Sequence, residues 1–167
     1  MNRVHIIGKK NHGKTTLTVA LVQELRRRGL VVGTIKHSPH HHELDTEGKD
    51  SYRHREAGAS PAAVVTSELV GVFMPRPDAD DPYSRLAPIY QGCDIVLVEG
   101  DKGLPGGVKI EVWRAEVGSA PLCTTGRDDI SALVTDDSVD VDVAVWPRSD
   151  VARVTDGLLA LSDLPTS

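Results

Sequence analysis

Residues Gly8-Lys9-Lys10-Asn11-His12-Gly13-Lys14-Thr15 fit the pattern G-x-x-x-x-G-K-[ST]. Two glycines at that spacing let a backbone curl until successive N–H groups, those of Asn11 and His12 among them, point inward and make an anion nest. A helix opening near Lys14 would add the positive end of its dipole. Lys14 supplies a mobile ammonium for β and γ phosphates. The Thr15 hydroxyl is placed to ligate Mg²⁺, and Thr16 to meet the α-phosphate. The chemistry expected of these residues is binding of a nucleoside triphosphate with Mg²⁺.

Mg²⁺ held between phosphates needs only a few protein oxygens. Glu99 ends the apolar run Ile95-Val96-Leu97-Val98 and precedes Gly100. In a doubly wound sheet, ligands collect outside the carboxyl ends of strands, so Glu99 is the acid expected to face the loop. Lys14 and Glu99 are thus the expected catalytic pair. Asp94 begins the same strand at the far end and reads as structural. A second strand ends at Lys36-His37, and His40, His41, His42 and Asp45 follow closely. That cluster is open to three readings: a Zn²⁺ or Ni²⁺ site, contact with a substrate phosphate, or Mg²⁺ ligation by Asp45. Gly48-Lys49-Asp50-Ser51 reads as a helix start. The guanine-reading sequence [NT]-K-x-D is absent, and Gly126-Arg127-Asp128-Asp129 is only the nearest polar loop. Base identity therefore does not follow from the residues. Nor is there an obvious Gln to orient an attacking water, so fast hydrolysis is not expected.

These side chains need a scaffold. Arg3 to Ile7 predicts a strand, and Leu17, Ala20, Leu21 and Leu25 a helix closed by Arg26, Arg27, Arg28 and a left-handed Gly29. Leu30 to Ile35, apolar on both faces apart from Thr34, reads as a central parallel strand. A short helix is expected at 50–57, strands at 62–66 and 69–74, and a helix at 82–91 capped by Asp81 and closed by Gly92. Further strands are expected at 95–98, 108–113, 130–135 and 143–146, with a last helix at 150–161. The sum is an α/β fold of the P-loop NTPase-like kind, a mostly parallel sheet with helices on both faces, in one domain.

The chain has 167 residues and a net charge of −5, which points away from nucleic acid. Its longest purely aliphatic stretch, 95–98, is far short of the roughly 20 residues that span a bilayer. No targeting signal is apparent. Cys93 and Cys123 form no metal pattern and read as buried small hydrophobes in a reducing cytoplasm.

Together these motifs resemble the molybdopterin-guanine dinucleotide biosynthesis protein B (MobB) family. The likeness rests on Gly8 to Leu17, on Gly33-Thr34-Ile35-Lys36-His37, on Asp45, on Gly48-Lys49-Asp50-Ser51 and on Ala57-Gly58-Ala59. It continues through Val98-Glu99-Gly100, Lys102 and Lys109-Ile110-Glu111-Val112, and spans about residues 3 to 136. His12 stands where Ser is expected, and Asp101 where an apolar residue is expected. The resemblance implies a dimeric, cytoplasmic GTP-binding protein with weak GTPase activity. It would assist a MobA-type nucleotidyltransferase that joins GMP to molybdopterin. It also implies that His37, Lys49, Asp50 and Lys102 join the ligand-binding set and that Thr15, Asp45 and Glu99 hold the metal. Two rivals share part of the pattern: a small-molecule kinase or synthetase of the dethiobiotin-synthetase type, and a nickel-insertion metallochaperone GTPase.

Overall fold

The computed structural model describes residues 1–40, 42–76, 81, 83–162 and 164. They fall into two compact units, residues 1–39 with 88–167, and residues 40–87.

The first unit is built on a six-stranded sheet in the order β2-β5-β1-β6-β7-β8. Its strands are β1 (Arg3–Ile7), β2 (Val32–Lys36), β5 (Ile95–Glu99), β6 (Val108–Val112), β7 (Ala132–Val134) and β8 (Ala144–Trp146). Every neighbouring pair is parallel. All the carboxyl ends therefore share one edge, where a ligand site is expected. β5 lies inside the sheet, and Ile95 to Val98 are wholly buried, as their unbroken apolar run requires.

Helices α1 (Lys14–Arg27) and α3 (Val151–Leu161) supply the helical layer. Leu17, Leu21 and Leu25 of α1 and Val154, Leu158 and Leu159 of α3 share one core with Val4, Ile6, Leu97, Ile110 and Val134. On the alternate strand positions, Ile7 packs with Leu122 and Ile130. α1 stops as its sequence predicts. Gly29 takes φ +85°, and its N–H donates to the Arg26 carbonyl while Leu30 N–H donates to that of Leu25, a Schellman closure. Arg28 does more than terminate the helix. Its guanidinium pairs with Glu24 at 2.9 Å and with Asp156 of α3 at 2.5 Å, and donates to the Ala152 carbonyl. At the start of α3, Asp150 Oδ1 accepts from Arg153 N–H at 3.0 Å, an N-cap.

Two expectations fail. β2 is an edge strand, not a central one: only Gly33 is buried along it, and Val31 just before it is 55% exposed. The apolar run is divided, Leu30 joining the core while Val31 faces out. Gly33 has no Cβ because Tyr90 and Cys93 fill that space. The expected helix over 82–91 is a series of turns instead. Asp81 does accept from Tyr83 N–H at 3.0 Å, but Pro88 has no N–H to continue a helix and its ring would clash with the preceding turn. Pro82 lies outside the described residues. Asp94 proves structural: its carboxylate accepts from Val31 N–H at 2.7 Å. Cys93 and Cys123 are free and half-buried, and burial lifts the Cys123 thiol to about 11.

The second unit holds α2 (Asp50–Glu56) and an antiparallel hairpin of β3 (Ala62–Val65) and β4 (Val70–Phe73), registered Ala62 to Phe73 and Val65 to Val70. Val65, Leu69 and Val70 are more than two-thirds exposed.

Lys109 of β6 is completely buried. Its ammonium donates to Asp129 at 2.7 Å and to the Gly106 carbonyl at 3.3 Å. Arg127 donates to the same carboxylate at 2.9 and 2.6 Å and holds the Lys102 carbonyl at 2.6 Å. Hydrogen bonds from Arg127 and then Lys109 hold the Asp129 carboxyl down at about 2, against an ordinary 3.8. A lowered carboxylate stabilises the fold fully above 3.8, and that contribution is lost as pH falls through 2. Asp129→Asn is expected to cost roughly 2 kcal/mol at neutral pH, a buried-pair loss discounted for the carboxylate's partial exposure. In urea unfolding the gap to the native protein should close on acidification across that window.

Candidate functional site

The β1–α1 connection forms the curl that its glycines predict. Gly8 has φ +141°, Asn11 +69° and Gly13 +91°. Gly13 is the N-cap of α1 and has no side chain with which to cap it. The first intrahelical bond runs from Leu17 N–H to the Gly13 carbonyl, so the amides of Lys14, Thr15 and Thr16 have no partner within the helix. Gly8 permits a second close approach. A Cβ there would stand 2.5 Å from the Val112 carbonyl oxygen of β6.

Lys14 folds back over this curl, its ammonium donating to the Gly8 carbonyl at 2.9 Å and the Lys9 carbonyl at 2.8 Å. Burial lowers its pKa first, Glu99 opposes that, and Lys36 and Lys102 lower it further. An anion bound here would relieve the mutual repulsion of these cations. The Thr15 hydroxyl donates to Glu99 Oε1 at 2.8 Å, and the Lys36 ammonium lies 3.2 Å from the same oxygen. Two oxygens from β5 and α1 thus meet beside the curl, the donor set a hard cation such as Mg²⁺ prefers. His37 reaches this place through its backbone, donating its N–H to the Glu99 carbonyl at 2.9 Å.

These residues line a cleft of about 670 Å³ bounded by Lys10, Asn11, Gly13 to Thr16, Glu99, Arg114 and Arg148, a size that suits a nucleotide. Gly8, Asn11, Gly13, Lys14, Thr15, Thr16 and Glu99 are therefore brought together. Lys102 is near enough to act on Lys14 by charge. Asp45, Lys49 and Asp50 belong to the other compact unit. There Asp45 Oδ1 accepts from Ser51 Oγ at 2.9 Å and from Thr46 N–H at 2.8 Å, and Oδ2 lies 3.5 Å from Arg55. Asp50 is in the first turn of α2, with Lys49 as N-cap. His40 and His42 stack edge to face with centroids 5.7 Å apart. Among the described residues, no three His, Cys, Asp or Glu side chains gather as a metal site. His41 lies outside them.

His12 is 1% exposed, with a partner on each ring nitrogen. Nδ1 accepts from Arg114 N–H at 2.9 Å, which leaves Nε2 as the donor to Ser119 Oγ at 2.8 Å. Only the neutral ring satisfies both bonds. His12 thus fastens the curl to the segment after β6, as does Lys9, whose ammonium donates to the Ala120 carbonyl at 2.9 Å.

Sequence reasoning placed Lys36 at a strand end without giving it a role and missed Arg114 and Arg148. A signal for each existed, since Lys36 ends β2 and the two arginines follow β6 and β8 at the same carboxyl edge. Arg114 and Arg148 stand just after Trp113 and Trp146-Pro147.

The parallel sheet, the curl at its first strand-to-helix junction and the acid after β5 define a protein of the P-loop fold. Residues 3–136 match the family described as Molybdopterin guanine dinucleotide synthesis protein B, MobB, and the chain belongs to that family. It is 40% identical over 155 residues to the molybdopterin-guanine dinucleotide biosynthesis adapter protein of Haemophilus influenzae, covering 90% of this chain and 84% of that one. Its identity to the Escherichia coli protein of the same name is 31% over 147 residues, covering 86% and 83%. The Bacillus subtilis MobB crystal structure superposes over the whole of both chains with a TM-score of 0.72 at 24% identity. A further crystal structure of molybdopterin-guanine biosynthesis protein B gives 0.65 at 26% identity, over 95% of this chain and 99% of that one. No helix among the described residues is long and apolar enough to cross a membrane.

Burial lowers the His12 pKa from its ordinary 6.5, Glu111 opposing and Lys14, Lys9 and Arg114 assisting. A lowered histidine favours the fold in its neutral form, so its contribution is whole above 6.5 and is lost as pH falls through the folded value. His12→Phe, which strands the Arg114 amide, is expected to cost about 1–3 kcal/mol at pH 8. Thermal unfolding between pH 8 and 5 should show a flatter stability profile in that variant than in the native protein.

Proposed function

We propose that the chain is a GTP-binding adapter of molybdopterin guanine dinucleotide synthesis, loaded with Mg²⁺. It would serve a MobA-type nucleotidyltransferase that attaches GMP to molybdopterin. The observation that carries the binding half of this reading is the convergence at the curl. Uncapped amides of α1, the Lys14 ammonium and the Thr15–Glu99 oxygen pair meet at one end of a cleft of nucleotide size. Polyphosphate would displace the Gly8 and Lys9 carbonyls from Lys14. The Thr15 hydroxyl would hold Mg²⁺ directly, and Glu99 would hold it through water or directly, with the Lys36 ammonium moving aside. Bound Mg²⁺ would supply neutralisation of the polyphosphate charge.

Turnover is expected to be slow, since among the described residues no glutamine lines the cleft to set an attacking water. The adapter half rests on the likeness to adapter proteins of molybdopterin-guanine dinucleotide biosynthesis. A homodimer accords with the hairpin of the second unit. Two strands alone are marginally stable in water, and Val65, Val70 and Val72 lie open on it. Two free thiols suit a reducing cytoplasm.

Lys14→Ala is expected to weaken GTP binding by about 2–3 kcal/mol through loss of charge-assisted bonds to phosphate. Calorimetry giving the native affinity in that variant would defeat the site. Glu99→Gln should bind GTP normally in EDTA yet gain nothing from added Mg²⁺. An undiminished Mg²⁺ gain would remove Glu99 from the metal shell.

A further inference from the structure

Of the two guanidinium groups that border the cleft, Arg114 is already committed. Its Nη2 donates to the Asn11 carbonyl at 2.7 Å and its Nη1 pairs with Glu116 at 2.8 Å. Arg148 is held differently. Its Nε lies 3.6 Å from Asp136 Oδ2. The other carboxylate oxygen of Asp136 accepts from the Ser149 N–H and hydroxyl, each at 2.8 Å. The turn between β8 and α3 is thereby fixed just after Arg148. The side chain is about one-third exposed, and its Nη1 would stand 3.6 Å from a Cβ on Gly13. Its Nη nitrogens have no hydrogen-bond partner among the described residues. A positioned donor fork thus faces the cleft with its bonds unspent.

Strand order says which part of a ligand it would meet. Glu99 follows β5, on one side of β1, and Arg148 follows β8, three strands to the other side. Neighbouring strands are about 4.8 Å apart, so β5 and β8 are separated by roughly 19 Å along the carboxyl edge, and the two residues approach the curl from opposite sides of β1. With metal and γ-phosphate held at Glu99, a nucleotide extending through the cleft toward Arg148 would carry its nucleoside to the β8 side. On this basis we propose that Arg148, oriented by Asp136, reads the purine base and selects guanine. Guanine presents two acceptors, O6 and N7, which match two N–H donors of a guanidinium. Adenine replaces the first with an amino donor and meets the same fork with one acceptor only. This supplies a base-reading device where the [NT]-K-x-D sequence is missing, and it rests on the nucleotide-binding reading above.

Calorimetric titration with GTP, ITP, ATP and inorganic triphosphate, each with Mg²⁺, tests it. ITP keeps O6 and N7 and lacks only the 2-amino group. The native protein is expected to bind GTP and ITP alike, at least tenfold tighter than ATP. Arg148→Ala should bring GTP and ITP down to the ATP level and leave inorganic triphosphate unchanged. Arg148→Lys, which keeps the charge but not the fork, should lose discrimination in the same way, and Asp136→Asn should lose part of it. Equal losses for all four ligands would make Arg148 a phosphate contact and overturn the assignment, as would an unchanged GTP to ATP ratio or a native protein that does not discriminate. Failure of the native protein to bind any of the four defeats the nucleotide reading and this one with it.

Discussion

Three backbone amides at the start of α1 lack a partner inside the helix, and the residue before them is a glycine that cannot cap them. With glycine at the N-cap, that helix start forgoes only a few tenths of a kcal/mol relative to Ser, Thr, Asp or Asn. The surroundings are arranged around keeping those amides available. Lys14 bends back onto the Gly8 and Lys9 carbonyls, so its charge hovers over the amides and satisfies none of them. Neutral His12 and the Lys9 ammonium anchor the curl from behind, to Arg114, Ser119 and Ala120. The site is rigid where it must be shaped and unsatisfied where it must receive.

Its second constraint is the balance of charge about Glu99. One carboxylate oxygen receives both the Thr15 hydroxyl and the Lys36 ammonium, so a cation already stands close to where a metal would. Lys14, Lys36 and Lys102 crowd the same end of the cleft. Their repulsion is relieved by polyanion and worsened by a bare divalent cation. Metal and phosphate would therefore be favoured together over metal alone. The Lys109–Asp129–Arg127 network, centred on the buried Lys109, extends this organisation, since Arg127 also grips the backbone of Lys102.

Much of this was legible in the residues, and the reasons differ by position. The curl and Glu99 could be read because phosphate binding demands glycine, lysine and threonine in fixed order, and because an acid after a wholly apolar strand has one place to go. α1 could be read from helical spacing and the glycine that closes it, and α3 from helical spacing alone. The place of β2 could not. An apolar run is the same whether a strand is central or at the edge, and strand order depends on contacts distant in sequence. The false helix over 82–91 came from weighing Asp81 and the spacing of Tyr83, Leu86 and Tyr90 above Pro88, whose missing N–H decides the matter. Arg114 and Arg148 escaped notice because they come to the loop from β6 and β8, over a hundred residues downstream, and no local pattern links them to it.

Gly8 carries a consequence for how such a site diverges. Its φ of +141° and the Val112 oxygen 2.5 Å from where a Cβ would sit close that position to every other amino acid. A lineage seeking weaker or stronger affinity has no intermediate steps there, only loss. Drift must be absorbed by the rim, in Lys10, Arg114, Arg148 and their neighbours, which face the cleft without forming its floor. The floor is a fixed inheritance, and such side chains are where one descendant can come to differ from another.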